Sequence, residues 1–150
     1  MPTKQILQLA IVDNHRLFRQ GLIQLIKIAC PDFVITLEAA GGIELQKKLT
    51  KENEPEILLV DINLPDMDGF DLIKWINQNF PTVKIVVVSM IEKKETIQQL
   101  REMGVNGYLG KDVEPNELAS ALKIIRNNGT YYAVFLPTDF DRFDFRDFKW

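Results

Sequence analysis

The 150-residue sequence predicts one doubly wound α/β domain, in which helices cover both faces of a five-stranded parallel sheet. Short, nearly unbroken apolar runs alternate along the chain with segments whose apolar residues recur at three- and four-residue steps. Continuous apolar runs are typical of strands that are buried on both faces, as in a parallel sheet. Because five such strand–helix pairs follow one another, right-handed crossovers are expected to connect the strands.

The individual elements follow from these two patterns. Apolar runs predict strands over residues 6–12, 33–37, 57–60, 83–88 and 108–109. Helical spacing of apolar residues predicts helices that include residues 18–29, 43–49, 72–76, 97–103 and 118–125. Gly104 stands where the fourth helix should stop, and Pro115 stands in the expected first turn of the fifth helix.

The composition narrows the class of protein. Apolar residues make up 46% and charged residues 26% of the chain, as is usual for a globular domain in water. The net charge of −3 argues against direct binding of a nucleic-acid backbone, which requires a clustered positive face. Cys30 is the only cysteine, so no internal disulfide can form, as expected in a reducing cytoplasm. Neither a signal peptide nor a membrane-spanning stretch is recognisable, so we expect a cytoplasmic protein without a membrane partner.

The C-terminal segment differs from the rest of the chain. We expect the domain to span residues 1–130 and residues 131–150 to form a tail of uncertain structure. From Pro137 onwards the tail interleaves phenylalanine with aspartate and arginine at a spacing that fits neither a helix nor a strand. Two interpretations stay open: a disordered extension, or a segment that folds back onto an apolar surface.

Polar side chains stand where the predicted strands end. They are Asp13 and Asn14 after the first strand, Asp61 after the third, Ser89 after the fourth and Lys111 after the fifth. Because parallel strands end at the same edge of a sheet, these groups should share one shallow pocket. The set suits phosphoryl transfer, since Asp13 and Asp61 offer oxygens to Mg²⁺ and Asp61 is placed as the nucleophile. Lys111 would pair with one phosphoryl oxygen, and Ser89 would donate a hydrogen bond to another.

Three segments at these strand ends resemble the receiver domains of bacterial two-component response regulators. They are IVDNHRLFRQGL at residues 11–22, LLVDINLPDMDGF at residues 58–70 and GYLGKD at residues 107–112. The first and third are similar to the NarL/FixJ (LuxR-type) group in particular, and the resemblance runs from about residue 6 to residue 128. It implies a flavodoxin-like (βα)5 fold with the strand order 2-1-3-4-5.

The resemblance also implies a mechanism. A sensor histidine kinase would donate a phosphoryl group to Asp61, and Mg²⁺ would be held by Asp13, Asp61 and the backbone carbonyl of Asn63. Ser89 would move towards the phosphoryl group and Tyr108 would rotate inward, remodelling the surface of the fourth helix, fifth strand and fifth helix. Such a domain is a signalling module and not an enzyme, beyond catalysing its own phosphorylation and dephosphorylation.

The expected output is transcription regulation, with a homodimer as a further expected assembly. Members of the group usually continue into a helix-turn-helix domain. Nothing after Asn128 is long or basic enough to form one. We therefore expect no DNA-binding domain in this chain, and contact with DNA only through an output domain outside it.

One position departs from the pattern of the family. Receivers usually carry two acidic residues after the first strand, and here Asn14 occupies the second position. An amide oxygen can coordinate Mg²⁺ but brings no charge, so we expect weak binding of the ion. A degenerate receiver that binds proteins without phosphate is therefore an alternative. A small hydrolase built on the same sheet is a third hypothesis, but only Lys111 and Ser89 are placed for general acid–base catalysis, so no turnover is expected.

Two further features have ordinary structural explanations. His15 is the only histidine, and we interpret it as a helix-start residue rather than a ligand. Asp66, Asp68 and Gly69 resemble part of a calcium-binding loop, but the spacing of the required ligands fails. The segment is predicted to be a turn leading into the third helix.

Overall fold

Helices flank a parallel sheet in the computed structural model, which describes residues 6–90 and 93–132. The strands are β1 (Leu7–Val12), β2 (Phe33–Ala39), β3 (Ile57–Val60), β4 (Lys84–Ser89), β5 (Gly107–Gly110) and β6 (Tyr131–Tyr132). The helices are α1 (Arg16–Ala29), α2 (Gly42–Lys48), α3 (Gly69–Asn79), α4 (Lys94–Glu102) and α5 (Pro115–Arg126). A short 3₁₀ turn, Lys51–Asn53, lies between α2 and β3.

The strand order in the sheet is β2-β1-β3-β4-β5-β6, and every neighbouring pair is parallel. The order 2-1-3-4-5 is therefore confirmed, but the expectation of five strands is corrected to six. The sixth strand exists because the chain reverses after α5 and lays Tyr131 and Tyr132 alongside Gly107 and Tyr108. The sequence carries a signal for this strand, the apolar run YYAVFL at residues 131–136, but the sequence prediction places that run in the tail.

Apolar side chains form a core on each face of the sheet. The face covered by α2, α3 and α4 is filled by helix residues such as Leu45, Leu72, Ile76 and Leu100. The face covered by α1 and α5 is filled by residues such as Leu22, Ile26, Leu122 and Ile125. Successive residues of β3 alternate between the two cores, which explains why the strand reads as an unbroken apolar run.

Three helix ends agree with the sequence. Gly104 follows Met103, the C-cap residue of α4, and adopts φ of 82°, a left-handed conformation that favours glycine because it has no Cβ. Pro115 is the first residue of α5, where its missing N–H costs no helical hydrogen bond. His15 is the N-cap residue of α1, which confirms its interpretation as a helix-start residue.

Within the described ranges, no helix combines the length and apolar composition that a membrane span requires. The predicted tail begins with the two residues of β6. Its remainder, residues 133–150, lies outside the described residues.

Candidate functional site

The carboxyl ends of the central strands bring the predicted polar residues to one edge of the sheet. Asp13 and Asp61 directly follow β1 and β3, which pair in register through Val12 and Val60. The Asp61 amide donates to the Val12 carbonyl at 2.9 Å, so the two aspartates leave the sheet side by side. Ser89 is the last residue of β4, and Lys111 directly follows β5.

The Lys111 ammonium group joins the two carboxylates. Its Nζ lies 2.9 Å from Asp13 Oδ2 and 2.8 Å from Asp61 Oδ2. Only 12% of the Lys111 side chain is exposed, with 3% for Asp13 and 5% for Asp61, so all three charges are withdrawn from water. Because both oxygens contact one nitrogen, they are at most about 5.7 Å apart, the sum of the 2.9 and 2.8 Å distances. The site thus holds two carboxylates in direct contact with one ammonium group.

The environment of Lys111 favours its protonated form. Burial opposes protonation, but the hydrogen bonds and charges of Asp61 and Asp13 outweigh it and raise the pKa of the Lys111 ammonium above its usual value. The ring of Phe18 adds a cation–π contact, with its centroid 4.7 Å from Nζ. Lys111 is therefore a permanent positive charge at neutral pH.

Hydrogen bonds from the start of α1 hold Asp13 in place. The His15 amide donates to Asp13 Oδ1 at 2.7 Å, and the Arg19 guanidinium donates to the Asp13 backbone carbonyl. Arg19 also forms an ion pair with Glu38 of β2 at 2.9 Å. The role of Arg19 is not predictable from the sequence, because an arginine three residues after the first residue of a helix has no distinguishing pattern.

The loop after β3 is braced against the start of α3. The Asn63 amide donates to Asp61 Oδ1 at 2.9 Å, leaving Oδ2 to Lys111. Gly69 packs so tightly behind this loop that a Cβ there would lie 2.4 Å from the Ile62 carbonyl oxygen. Only glycine allows α3 to begin this close to the residue that follows Asp61.

The turn between Asp61 and α3 supports two helix starts. Asp68 is the N-cap residue of α3 and accepts a hydrogen bond from the Phe70 amide at 2.7 Å, which confirms the predicted turn. The Asp66 carboxylate accepts hydrogen bonds from the amides of Gly42 and Ile43 at 3.1 and 3.0 Å. Asp66 thus caps the start of α2, although it is 24 and 23 residues from these two positions in the sequence. The hydrogen bond from Ile43 is the main reason that the pKa of Asp66 is lowered. The sequence shows the glycine at the start of α2 but not the distant carboxylate that caps it.

Asp61 and Lys111 line an open depression of about 400 Å³. Its other lining residues are Asn14, His15, Arg16, Asn63 and Met90. In the part of the chain that the structure describes, no three acidic, histidine or cysteine side chains converge as a metal cluster. Two buried carboxylates beside an open depression nevertheless fit Mg²⁺, which usually takes one or two carboxylates and keeps several water ligands.

Ser89 and Tyr108, the two predicted switch residues, are fully buried. Ser89 precedes the N-cap of α4, Lys93, by four residues, so it does not cap that helix. Its carbonyl accepts from the Lys111 amide at 3.2 Å, which ties the end of β4 to the residue between the carboxylates. Tyr108 lies in the core on the face of the sheet that α4 covers, together with Leu100 of α4 and Val105 of the following loop. Its side chain thus already points into the core, and its predicted inward rotation stays a prediction.

Known proteins share both the sequence pattern and the fold. Residues 9–123 match the family model of the response regulator receiver domain. The chain is 29% identical over 125 residues to the transcriptional regulatory protein DegU of Brevibacillus brevis, covering 83% of this chain and 52% of DegU. It is 32% identical over 122 residues to the nitrate/nitrite response regulator protein NarL of Escherichia coli (strain K12), covering 81% of this chain and 56% of NarL. The chain therefore spans about half the length of these two relatives.

Among solved structures, a LuxR-family two-component response regulator from Aurantimonas sp. SI85-9A1 superimposes with a TM-score of 0.77 at 27% identity. That match covers 84% of this chain and 89% of the other chain.

Proposed function

Because the chain belongs to the family of response regulator receiver domains, we propose that it works as a phosphorylation switch with Asp61 as the phosphoryl acceptor. The observation that carries the proposal is the Lys111 ammonium, held 2.8 Å from Asp61 and 2.9 Å from Asp13 beside an open depression. This arrangement presents a carboxylate nucleophile together with a fixed positive charge for the incoming anion.

The proposed donor is a phosphohistidine of a sensor histidine kinase. A carboxylate oxygen of Asp61 attacks the phosphorus, a P–O bond forms as the P–N bond breaks, and the bonding electrons return to the imidazole. The leaving imidazole keeps the proton that it carries as a phosphorylated cation, so no base on this chain is required. Lys111 then pairs with a phosphoryl oxygen, and Ser89 donates a hydrogen bond to another.

Asp13, Asp61 and the backbone carbonyl of Asn63 are the proposed ligands of Mg²⁺, with Asn14 as a weak further ligand. When bound, the ion neutralises the charge that accumulates between the carboxylate and the phosphoryl group. The residues of the chain supply the positioning: His15 and Arg19 orient Asp13, and the Asn63 amide orients Asp61.

The proposed output is a change of surface that regulates transcription. Ser89 and Tyr108 lie on the neighbouring strands β4 and β5, which end at the proposed phosphorylation site. A movement of Ser89 would therefore be transmitted to the paired strand β5. The relatives DegU and NarL are named as transcriptional and nitrate/nitrite response regulators and are about twice as long as the matched region. We propose that contact with DNA is made by an output domain outside this chain, and that the receiver forms homodimers.

One observation favours a second candidate function, a receiver that binds partner proteins without phosphate. Asn14 lines the depression where receivers usually carry a second acidic residue, so only two carboxylates converge on the proposed metal site. A site with less negative charge holds Mg²⁺ less tightly, and phosphorylation slows accordingly.

A phosphoryl mimic separates these functions. Beryllofluoride and Mg²⁺ are added to the wild-type protein, to Asp61→Asn and to Asn14→Asp, and the backbone amide resonances of Ser89 and Tyr108 are followed by NMR. The proposal predicts shifts that require both Mg²⁺ and Asp61 and that saturate at a lower Mg²⁺ concentration in Asn14→Asp. Unchanged wild-type resonances, with shifts only in Asn14→Asp, would support the degenerate receiver. Turnover of a free phosphate ester would instead support the hydrolase.

A further inference from the structure

The turn after α5 is built to bring β6 onto the edge of β5. Asn128 adopts φ of 70°, and the amide of Gly129 donates to the Ile124 carbonyl at 2.9 Å. A Cβ at residue 129 would lie 2.7 Å from Ile124 Cγ2, so glycine is required at this close approach. The Tyr131 amide then donates to the Asn106 carbonyl at 3.0 Å, which begins the parallel pairing with β5.

The two tyrosines of β6 form side-chain hydrogen bonds on opposite faces of the sheet. The Tyr131 hydroxyl donates to Glu117 Oε2 of α5 at 2.9 Å. On the other face, the Tyr132 hydroxyl donates to the Val105 carbonyl, in the loop between α4 and β5. The Arg101 guanidinium of α4 lies 4.5 Å from the centroid of the Tyr132 ring. The short strand thus links α5, β5 and α4 through specific contacts.

Tyr132 is the neighbour of Tyr108 across the strand pair. The two residues pair in register, and parallel neighbours in register point to the same face at the strand spacing of about 4.8 Å. Both pack in the same apolar core, with Tyr108 fully buried and Tyr132 only partly buried. Since β4 flanks Tyr108 on its other side and β6 is the outermost strand of the described residues, the Tyr132 ring lies on the outer side of Tyr108 in this sheet.

We propose that Tyr132 is a positioning residue that holds Tyr108 in its buried orientation. Loss of the Tyr132 ring removes the side chain that packs against Tyr108 from β6, so Tyr108 gains room to turn and water can hydrate its hydroxyl group. The proposal has a regulatory half that rests on the proposed function. If inward Tyr108 accompanies phosphorylation of Asp61, the contact of Tyr132 favours the phosphorylated arrangement before any phosphate arrives.

The test observes Tyr108 directly in the full chain labelled with 3-fluorotyrosine, which contains three tyrosines. Fluorine NMR with a soluble gadolinium chelate measures how exposed each ring is, and single Tyr→Phe variants assign the three signals. Without Mg²⁺, the gadolinium chelate should broaden the Tyr108 signal in Tyr132→Ala. Tyr132→Phe keeps the ring and should leave the Tyr108 signal protected from the chelate. Tyr131→Ala is the matched control, because it removes the neighbouring ring from the opposite face of the same strand.

Equal protection of Tyr108 in wild type and Tyr132→Ala would overturn the proposal. Equal broadening in Tyr131→Ala would overturn it too, because the effect would then belong to β6 as a whole. If Tyr132→Ala does not fold, Tyr132→Val preserves the preference for a strand and still removes the ring, and the same broadening of Tyr108 is expected.

The regulatory half has its own measurement. With Mg²⁺ present, the beryllofluoride concentration that half-saturates the response should be higher in Tyr132→Ala than in wild type, because the inward state is less populated at the start. An equal or lower concentration would overturn this half. A wild-type protein that does not respond to beryllofluoride would contradict the proposed function and the regulatory half together, whereas the positioning of Tyr108 is decided by the metal-free experiment.

Discussion

Replacing Lys111 with methionine removes the charge that joins the two carboxylates while keeping a side chain of similar length. The oxygens of Asp13 and Asp61 that contact Nζ are at most about 5.7 Å apart. In the wild-type protein the ammonium compensates the repulsion of the two carboxylates, which is at least about 3 kcal/mol at that maximum separation and an effective dielectric constant of about 20. Since both carboxylates are almost fully buried, water screens this repulsion little. We expect Lys111→Met to lower the free energy of unfolding by about 3 kcal/mol in the absence of divalent ions.

Magnesium should reverse much of this loss. If Asp13 and Asp61 hold Mg²⁺ as proposed, the ion would compete with Lys111 for their oxygens in the wild-type protein, whereas in Lys111→Met it would meet two carboxylates that lack this ammonium. A ligand that binds the folded state stabilises it more when its affinity is higher. The gain in unfolding free energy on adding Mg²⁺ should therefore be larger for Lys111→Met than for wild type.

Urea denaturation followed by circular dichroism, with EDTA or with Mg²⁺, measures both effects. Lys111→Arg preserves the charge and should lose less stability. Lys84→Met is the control for a lysine outside the site, since Lys84 Nζ donates to the Arg126 carbonyl at 3.0 Å and is far from the carboxylates in the fold. Equal stability of Lys111→Met and wild type in EDTA, or equal stabilisation of the two proteins by Mg²⁺, would show that Lys111 does not compensate the carboxylates.

Three further predictions concern the loops around the site. Asn14→Asp adds a negative charge beside the proposed metal site and should tighten Mg²⁺ binding roughly tenfold in titration calorimetry. Asn14→Ala is the uncharged control, and equal Mg²⁺ affinities for Asn14→Asp and wild type would contradict this prediction. Gly69→Ala places a Cβ 2.4 Å from the Ile62 carbonyl oxygen and should lower the free energy of unfolding by about 2 kcal/mol and weaken Mg²⁺ binding. An unchanged urea midpoint would show that the loop can move to accept the Cβ without loss of stability. Asp66→Ala removes the hydrogen bonds to the start of α2 and should cost about 1 kcal/mol at neutral pH. Because the pKa of Asp66 is lowered in the folded state, its contribution is present above the unfolded value of about 3.9 and is lost as the pH falls through the folded value. Thermal melts of Asp66→Ala and wild type should therefore converge in acid, and a difference that persists there would contradict the assignment.

The order and type of the main elements follow from the sequence because the sheet is buried on both faces. Strands such as β3 and β4 have almost no polar residue to interrupt the apolar run, and the amphipathic helices repeat at the right spacing. The convergence of Asp13, Asp61 and Lys111 was predictable for the same reason, since residues at the carboxyl ends of parallel strands must meet at one edge. The motifs at these strand ends then predict the chemistry, which stays a prediction, and the family, which the match of residues 9–123 confirms.

The structure adds what depends on contacts distant in the sequence. The cap that Asp66 provides for α2 joins segments more than twenty residues apart, and Arg19 reaches both Asp13 and Glu38. Neither leaves a local pattern. The strand β6 is absent from the sequence prediction because its apolar run, YYAVFL at residues 131–136, is included in the predicted tail. The turn at Asn128 and Gly129, which brings Tyr131 and Tyr132 alongside β5, is visible only in the structure.

Whether Asp61 accepts a phosphoryl group can be read from the mass of the intact chain after incubation with acetyl phosphate. We expect one added phosphoryl group on the wild-type chain with Mg²⁺, little without it, and none on Asp61→Ala in either condition. A wild-type chain that stays unmodified with Mg²⁺, or an Asp61→Ala chain that gains the same mass, would show that Asp61 is not the acceptor.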